Sequence, residues 1–135
     1  MPKIALDTLR SLVNHLTDKG LPREKVLANV GFSEQQLNQS GELVDTSIYE
    51  SLYNFAERHL ESKSIGFEFG QVIDPDRWGV LGYIAFTAPS IKEALGRQRQ
   101  FQSLVGNMGT PLQEIENEEL ILKWMPAYHC SHHTV

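Results

Sequence analysis

The stretch WGVLGYIAFTAPSIKEAL, residues 78–95, and the amphipathic run that continues it to Gly106 decide how this chain folds. A glycine-spaced apolar segment comes first, and Pro89 separates it from a helix. Ser90 and, three residues later, Glu93 form a capping box, in which each side chain pairs with a backbone N–H at the helix start. Because residues 78–86 are apolar on nearly every side, we predict that they are buried, whether as helix or as strand.

Length, charge and composition bound the class of protein. A chain of 135 residues with 41% hydrophobic and 21% charged residues is typical of one folded domain with its own core. The net charge of −5 does not favour a nucleic-acid partner. The single cysteine, Cys130, excludes an internal disulfide and suits a reducing compartment. No secretory signal or membrane-spanning run is evident, so we predict a soluble cytoplasmic domain without a membrane partner.

Helical periodicity runs through the first third of the chain. An apolar stripe that starts at Leu6 predicts a helix ending at Lys19 and Gly20, with a basic last turn and a left-handed cap. Pro22 suits the first turn of a second helix, which Gly31 ends. These elements predict a mainly helical N-terminal part.

Two further capping boxes predict the next helices. Ser33 and Gln36 open a short helix, and Ser47 and Glu50 open a longer one. The longer helix carries an apolar stripe formed by Ile48, Leu52, Phe55, Ala56 and Leu60. Further on, residues 65–72 fit both an alternating strand and a helical face, so periodicity alone does not assign them.

The pattern changes after Gly106. Residues 109–111 break the helix, and residues 112–115 and 120–125 predict two strands joined through 116–119. Leu120, Leu122 and Trp124 would share one face of this hairpin. The predicted fold is therefore α+β, predominantly α-helical, with a short antiparallel β-hairpin at the C-terminal end. A two-stranded hairpin needs cover, so we expect residues 1–135 to be one domain of a longer protein.

Residues 128–133 hold three of the five histidines and the only cysteine, which are ligand types for zinc or copper. The adjacent His132 and His133 would point to opposite faces of a strand, and no second ligand cluster precedes them. Nothing identifies a general base for Cys130. We therefore predict no metal, no cofactor and no enzyme activity.

Residues 22–39 superficially resemble a DNA-binding helix-turn-helix, because two short predicted helices flank a turn at Gly31. The second helix contains Glu34 and no lysine or arginine, whereas a DNA-reading helix normally carries several phosphate-contacting cations. We interpret this segment as a helical hairpin that covers the core, and we expect DNA binding only through sequence beyond Val135.

Several aromatic side chains are candidates for a small-molecule pocket, since such pockets are largely apolar with a few polar groups. Any one of these side chains could equally be part of the core. The candidate ligand-binding residues are Trp78, Tyr83, Phe86 and Trp124.

The glycines, Pro89 and the Ser90 box lie at fixed spacings close to G-x-L-G-Y-x-x-x-x-x-P-S/T-x-x-E-A-L, and residues 65–70 are similar to a G-L-x-x-G element. This combination resembles the N-terminal effector-sensing, arabinose-binding-like domain of AraC-family bacterial transcription regulators, over roughly residues 44–107. The resemblance implies a helix at residues 65–70, a small-molecule effector, and a C-terminal helix-turn-helix domain that binds DNA. It also implies a possible homodimer. The alternative is a helical protein-interaction module without a metabolite ligand.

Overall fold

In a computed structural model of the chain, residues 2–72 and 79–127 are described, and they form the predicted α+β fold. In chain order the elements are β1 Lys3–Ala5, α1 Leu6–Asp18, α2 Arg23–Val30, α3 Glu34–Leu37, β2 Leu43–Asp45, α4 Thr46–Leu60, α5 Ile65–Val72, α6 Val80–Phe86, α7 Ile91–Phe101, β3 Gly109–Glu116 and β4 Glu119–Pro126. A single 3-10 turn, Gln102–Leu104, follows α7. Within the two described ranges, every helix is too short or too polar to cross a membrane.

The hydrophobic core lies where α1 packs against α2 and α2 against α4. The apolar stripe of α1 is buried as predicted, and the α4 stripe divides into fully buried and partly buried residues that all contact the core. The core side chains of α1 are Leu6, Leu9, Leu12, Val13 and Leu16. Residues 22–39 close one side of this core, since Val26, Val30 and Leu37 are buried. This confirms the interpretation of that segment as a cover for the core.

The caps of α2 and α3 agree with the sequence, and the cap of α4 differs from it. Gly31 has φ +73 and ends α2 in the left-handed conformation. The Ser33 box is complete, with bonds of 3.0 and 3.2 Å to Gln36. The predicted box at Ser47 is wrong, because α4 starts earlier and its cap is Asp45, whose carboxylate accepts from the Ser47 N–H at 2.9 Å.

A small antiparallel sheet of β1 and β2 was not predicted. Lys3 pairs with Asp45 and Ile4 with Val44. Each strand has three residues, which is too short for an alternating pattern to be recognisable. The sheet holds the N-terminal segment against the start of α4, and Ile4 and Val44 join the core.

Residues 65–72 are helical, as the resemblance implied. Ile65 and Phe69, four residues apart, are both buried, whereas Phe67 is exposed. The helical face therefore accounts for the burial pattern, and strand alternation does not.

The α6–α7 hairpin contradicts one prediction. Leu81 and Gly82 are buried, but Tyr83 is 71% exposed and Phe86 is 74% exposed, so the described part of the 78–86 segment is not buried all round. The reason is that α6 packs mainly on α7, and only one side of this seven-residue helix, with Leu81 and Gly82, is buried.

The Ser90 cap is present, and the Glu93 N–H donates to Ser90 Oγ at 3.1 Å. The Glu93 carboxylate accepts from Arg97 at 3.1 Å, one turn further on. Only the serine half of the predicted capping box is therefore formed.

The C-terminal hairpin is confirmed and is longer than predicted. Its strands pair from Gly109 with Pro126 to Glu116 with Glu119, so residues 109–111 belong to β3 and do not form a break. Asn117 and Glu118 have φ +50 and +67, which is the pattern of a two-residue type I′ turn. The histidine-rich segment 128–133 lies outside the described residues.

Candidate ligand-binding site

The residues that follow the 3-10 turn after α7 are hydrogen-bonded to β1 through the backbone. Ala5 N–H donates to Val105 O at 2.7 Å, and Asn107 N–H donates to Lys3 O at 3.0 Å. Between these bonds Gly106 has φ +151, and a Cβ placed there would lie 2.5 Å from Lys3 O. Glycine is therefore required for this close approach.

A cavity of about 230 Å³ lies beside this junction. It is lined by residues of the N-terminal part, residues 2–72, and of the C-terminal part, residues 79–127. Its apolar lining comprises Ile4, Leu81, Val105, Met108 and Trp124. Its remaining lining comprises Thr8, Tyr49, Gln98, Gln102 and Gly106. All the described lining residues are therefore uncharged at neutral pH.

Two polar groups of the wall have distinct environments. The Tyr49 hydroxyl lies 3.3 Å from the Tyr53 hydroxyl, and the two rings meet edge to face at 5.0 Å. Burial raises the pKa of Tyr53, so its hydroxyl stays protonated at neutral pH. The Gln102 Oε1 atom is buried and accepts no hydrogen bond from any described residue. Gln102 therefore offers an acceptor that no donor in residues 2–72 or 79–127 satisfies.

Trp124 reaches the cavity because the opposing strand has a glycine beside it. A Cβ at Gly109 would lie 2.7 Å from the Trp124 indole nitrogen and 2.6 Å from Met125 O. The indole therefore occupies space that a side chain on β3 would fill. This contact fixes the Trp124 ring against β3.

The predicted ligand-binding residues have different placements. Trp124 lines the cavity. Tyr83 and Phe86 lie on the exposed face of α6 and are not among the lining residues. Trp78 lies outside the described residues. Among the three predicted residues that the structure describes, Trp124 is therefore the one that lines this cavity.

Sequence reasoning missed Tyr49, Leu81 and Gln102. Tyr49 and Leu81 lie on helices whose apolar pattern does not distinguish a cavity wall from core. Gln102 lies in a turn after an amphipathic helix, where a glutamine normally indicates a solvated surface. No sequence pattern indicates that the side-chain oxygen of Gln102 is buried.

A second cavity of about 410 Å³ adjoins the first, since Thr8 and Val105 line both. Its wall includes the carboxylates of Asp7 and Glu42. Asp7 is ion-paired with Arg10. The first cavity, with its apolar and uncharged lining, is the better candidate for a small apolar ligand.

The described residues contain no group of three or more His, Cys, Asp or Glu side chains arranged to hold a metal ion. His15 is buried against Phe69, with ring centroids 5.3 Å apart, and it is not among the residues that line the cavity. The described residues that line the cavity include no nucleophile paired with a base.

Residues 20–134 match the family model described as the arabinose-binding domain of AraC transcription regulator, N-terminal. The match extends over most of the chain, and the chain therefore belongs to this family of regulator ligand-binding domains. A search of curated proteins finds no significant match.

Proposed function

We propose that this chain is the effector-sensing domain of an AraC-type transcription regulator and that the 230 Å³ cavity binds the effector. The supporting observation is that the cavity wall combines residues of the N-terminal core, such as Ile4 and Tyr49, with residues of the C-terminal part, such as Gln102 and Trp124. A small molecule bound there would contact both parts at once.

This position explains how binding could regulate. An effector shifts a conformational equilibrium only if it binds one arrangement better than another. A ligand in contact with both Tyr49 and Trp124 binds best when the two parts are closed on each other. We propose that this closure is passed to a C-terminal helix-turn-helix domain encoded after Val135, in a cytoplasmic and dimeric regulator.

DNA binding is proposed for that further domain and not for residues 22–39. Arg23 is the first residue of α2, and its guanidinium is paired with Glu34 of α3. The chain as a whole carries a net charge of −5. We expect no salt-sensitive binding of this chain to duplex DNA in an anisotropy titration at micromolar protein. The sequence encoded downstream of Val135 tests the proposal directly.

The ligand-binding role is tested by a metabolite thermal-shift screen, since a ligand of the folded state raises the melting temperature. Trp124→Ala and the milder Trp124→Phe should weaken the response to any hit. Tyr83→Ala and Phe86→Ala are matched controls, because these rings are exposed on α6. A loss of response in the controls alone would move the site to α6 and contradict the placement in the cavity.

A second candidate function rests on the exposed apolar surface of the α6–α7 hairpin. Tyr83, Phe86 and Ile91 are all more than two-thirds exposed. Contiguous exposed apolar surface is typical of protein-interaction sites. If no metabolite stabilises the protein and a partner binds through these three side chains, the domain is an interaction module.

A further inference from the structure

We propose that the effector is an uncharged, mainly apolar molecule that donates a hydrogen bond to the side-chain carbonyl of Gln102. This inference rests on the proposed function, because it concerns the ligand of the same cavity. Three observations carry it: the charge of the wall, the state of Gln102 and the size of the cavity.

The wall excludes charged ligands. Its described residues include no Asp, Glu, Lys, Arg or His. A carboxylate or ammonium group that leaves water for such a site loses hydration without gaining an ion partner. Thr8, Tyr49 and the two glutamines can form hydrogen bonds, but they cannot neutralise a charge. A neutral ligand avoids this cost.

Gln102 supplies the specific contact. Its Oε1 is buried and has no hydrogen-bond donor among the described residues, which is an unfavourable state for an amide carbonyl. The side chain already lines the cavity. Rotation about its last torsion, which is soft because it joins sp³ and sp² carbons, would bring the oxygen into contact with a molecule in the cavity. A ligand N–H or O–H then satisfies the acceptor.

The volume of the cavity and its apolar lining residues favour a compact, mainly apolar ligand. The volume of about 230 Å³ is below the range of roughly 300–1,000 Å³ typical of drug-sized ligands. Leu81, Met108 and the Trp124 indole provide the apolar contacts. An aromatic ring with one neutral polar substituent satisfies these requirements.

Three probes of nearly equal shape separate these requirements. Benzamide is neutral and donates N–H bonds, acetophenone is neutral and only accepts, and benzoate is anionic and only accepts. We expect benzamide to shift the backbone amide signals of Val105 and Gly106 and the Trp124 indole signal in an NMR titration of the whole chain. We expect its affinity to exceed that of acetophenone roughly tenfold, the effect of one satisfied buried acceptor. Benzoate should bind at least as weakly as acetophenone.

Gln102→Met tests the named contact, because methionine keeps the length of the side chain and lacks the carbonyl. The variant should bind benzamide and acetophenone equally. Gln100→Met is the matched control, since Gln100 is exposed on α7 and does not line this cavity. The control should keep the preference for benzamide.

The outcomes separate this inference from the proposed function. If all probes shift the cavity signals equally, or if acetophenone, benzoate or L-arabinose binds there more tightly than benzamide, the cavity binds ligands and the inference is wrong. If Gln102→Met keeps the full preference, the contact with Gln102 is wrong. If no probe, L-arabinose included, shifts any cavity signal, or if the shifts fall around Asp7 and Glu42 in the neighbouring cavity, the proposed site itself is wrong.

Discussion

The N-terminal part of the molecule, residues 2–72, and the C-terminal part, residues 79–127, use apolar residues in opposite ways. In the N-terminal part these residues form a continuous core. In the C-terminal part Leu81 is the only buried hydrophobic residue described, and no residue of α7 is buried. Tyr83, Phe86 and Ile115 are exposed there. The comparison indicates that the first part is stabilised by its own packing, whereas the second has apolar surface available for other molecules.

The largest effect is expected from truncation of the N-terminal core. Leu12 on α1 is fully buried, so Leu12→Ala should lower the free energy of unfolding by about 2–5 kcal/mol through lost burial and a new cavity. Leu122→Ala, at a β4 position that is 58% exposed, should cost less than about 1 kcal/mol. Urea denaturation measures both. Equal losses would remove the distinction between the two parts.

The next effect concerns the junction of the two parts. Gly106→Ala places a Cβ 2.5 Å from Lys3 O at a positive φ, and it should destabilise the chain by roughly 1–3 kcal/mol. The same change at Gly96 is the control, because a Cβ there meets nothing within 4 Å and alanine favours helix by about 1 kcal/mol. Thermal unfolding should shift in opposite directions. If Gly106→Ala is neutral, the β1 contact is not maintained in solution.

The N-terminal fold was largely predictable because its signals are local. The α1 stripe from Leu6, the Gly31 stop and the Ser33 box each depend on residues within one or two helical turns. The β1–β2 sheet was not predictable, because Ile4 and Val44 are forty residues apart and each strand is three residues long. The start of α4 was misplaced, because Asp45 and Ser47 are both good N-caps and the preceding strand selects between them.

The candidate site was much less predictable. Trp124 was named from its residue type, and it lines the cavity. Tyr83 and Phe86 were named on the same ground, but α6 presents them to solvent. The distinction depends on which face of α6 is buried by its neighbours, and an all-apolar segment has no periodicity that specifies a face. The Gln102 contribution depends on tertiary burial of a single oxygen.

The helix start in the C-terminal part gives a smaller expected effect. Ser90→Ala removes the hydrogen bond from the Glu93 N–H to Ser90 Oγ and should lower stability by about 1 kcal/mol. Ser90→Asp is the matched control, since aspartate also caps helices and should retain most of the stability. Chemical denaturation compares the three proteins. An unchanged midpoint in the alanine variant would mean that α7 frays without affecting the cooperative unit, which would sharpen the contrast between the two parts.

The smallest expected effect is a pH dependence confined to the N-terminal part. Burial, and secondarily the charge of Lys19, lowers the pKa of His15 below 6.5, while Glu68 and Asp18 oppose this more weakly. Because the unfolded chain then binds a proton that the folded chain does not, stability should fall as the pH is lowered through 6.5.

Glu68 contributes to the stability of the fold in a separate pH range. Its hydrogen bonds, first from Lys19 and then from Ser64 and Ser62, lower its pKa to about 2, so its contribution is lost only as the pH falls from about 4.5 toward 2. Urea denaturation at pH 7.5 and pH 5.5 therefore covers the pH range of His15 and leaves out that of Glu68, and the His15 variant assigns the effect. We expect lower stability at pH 5.5 in the wild type and a smaller difference in His15→Phe, which keeps an aromatic ring against Phe69. A wild-type stability that is constant or higher at pH 5.5 would show that His15 is accessible to protons in the folded state, and the N-terminal core would then be less closed than its packing indicates.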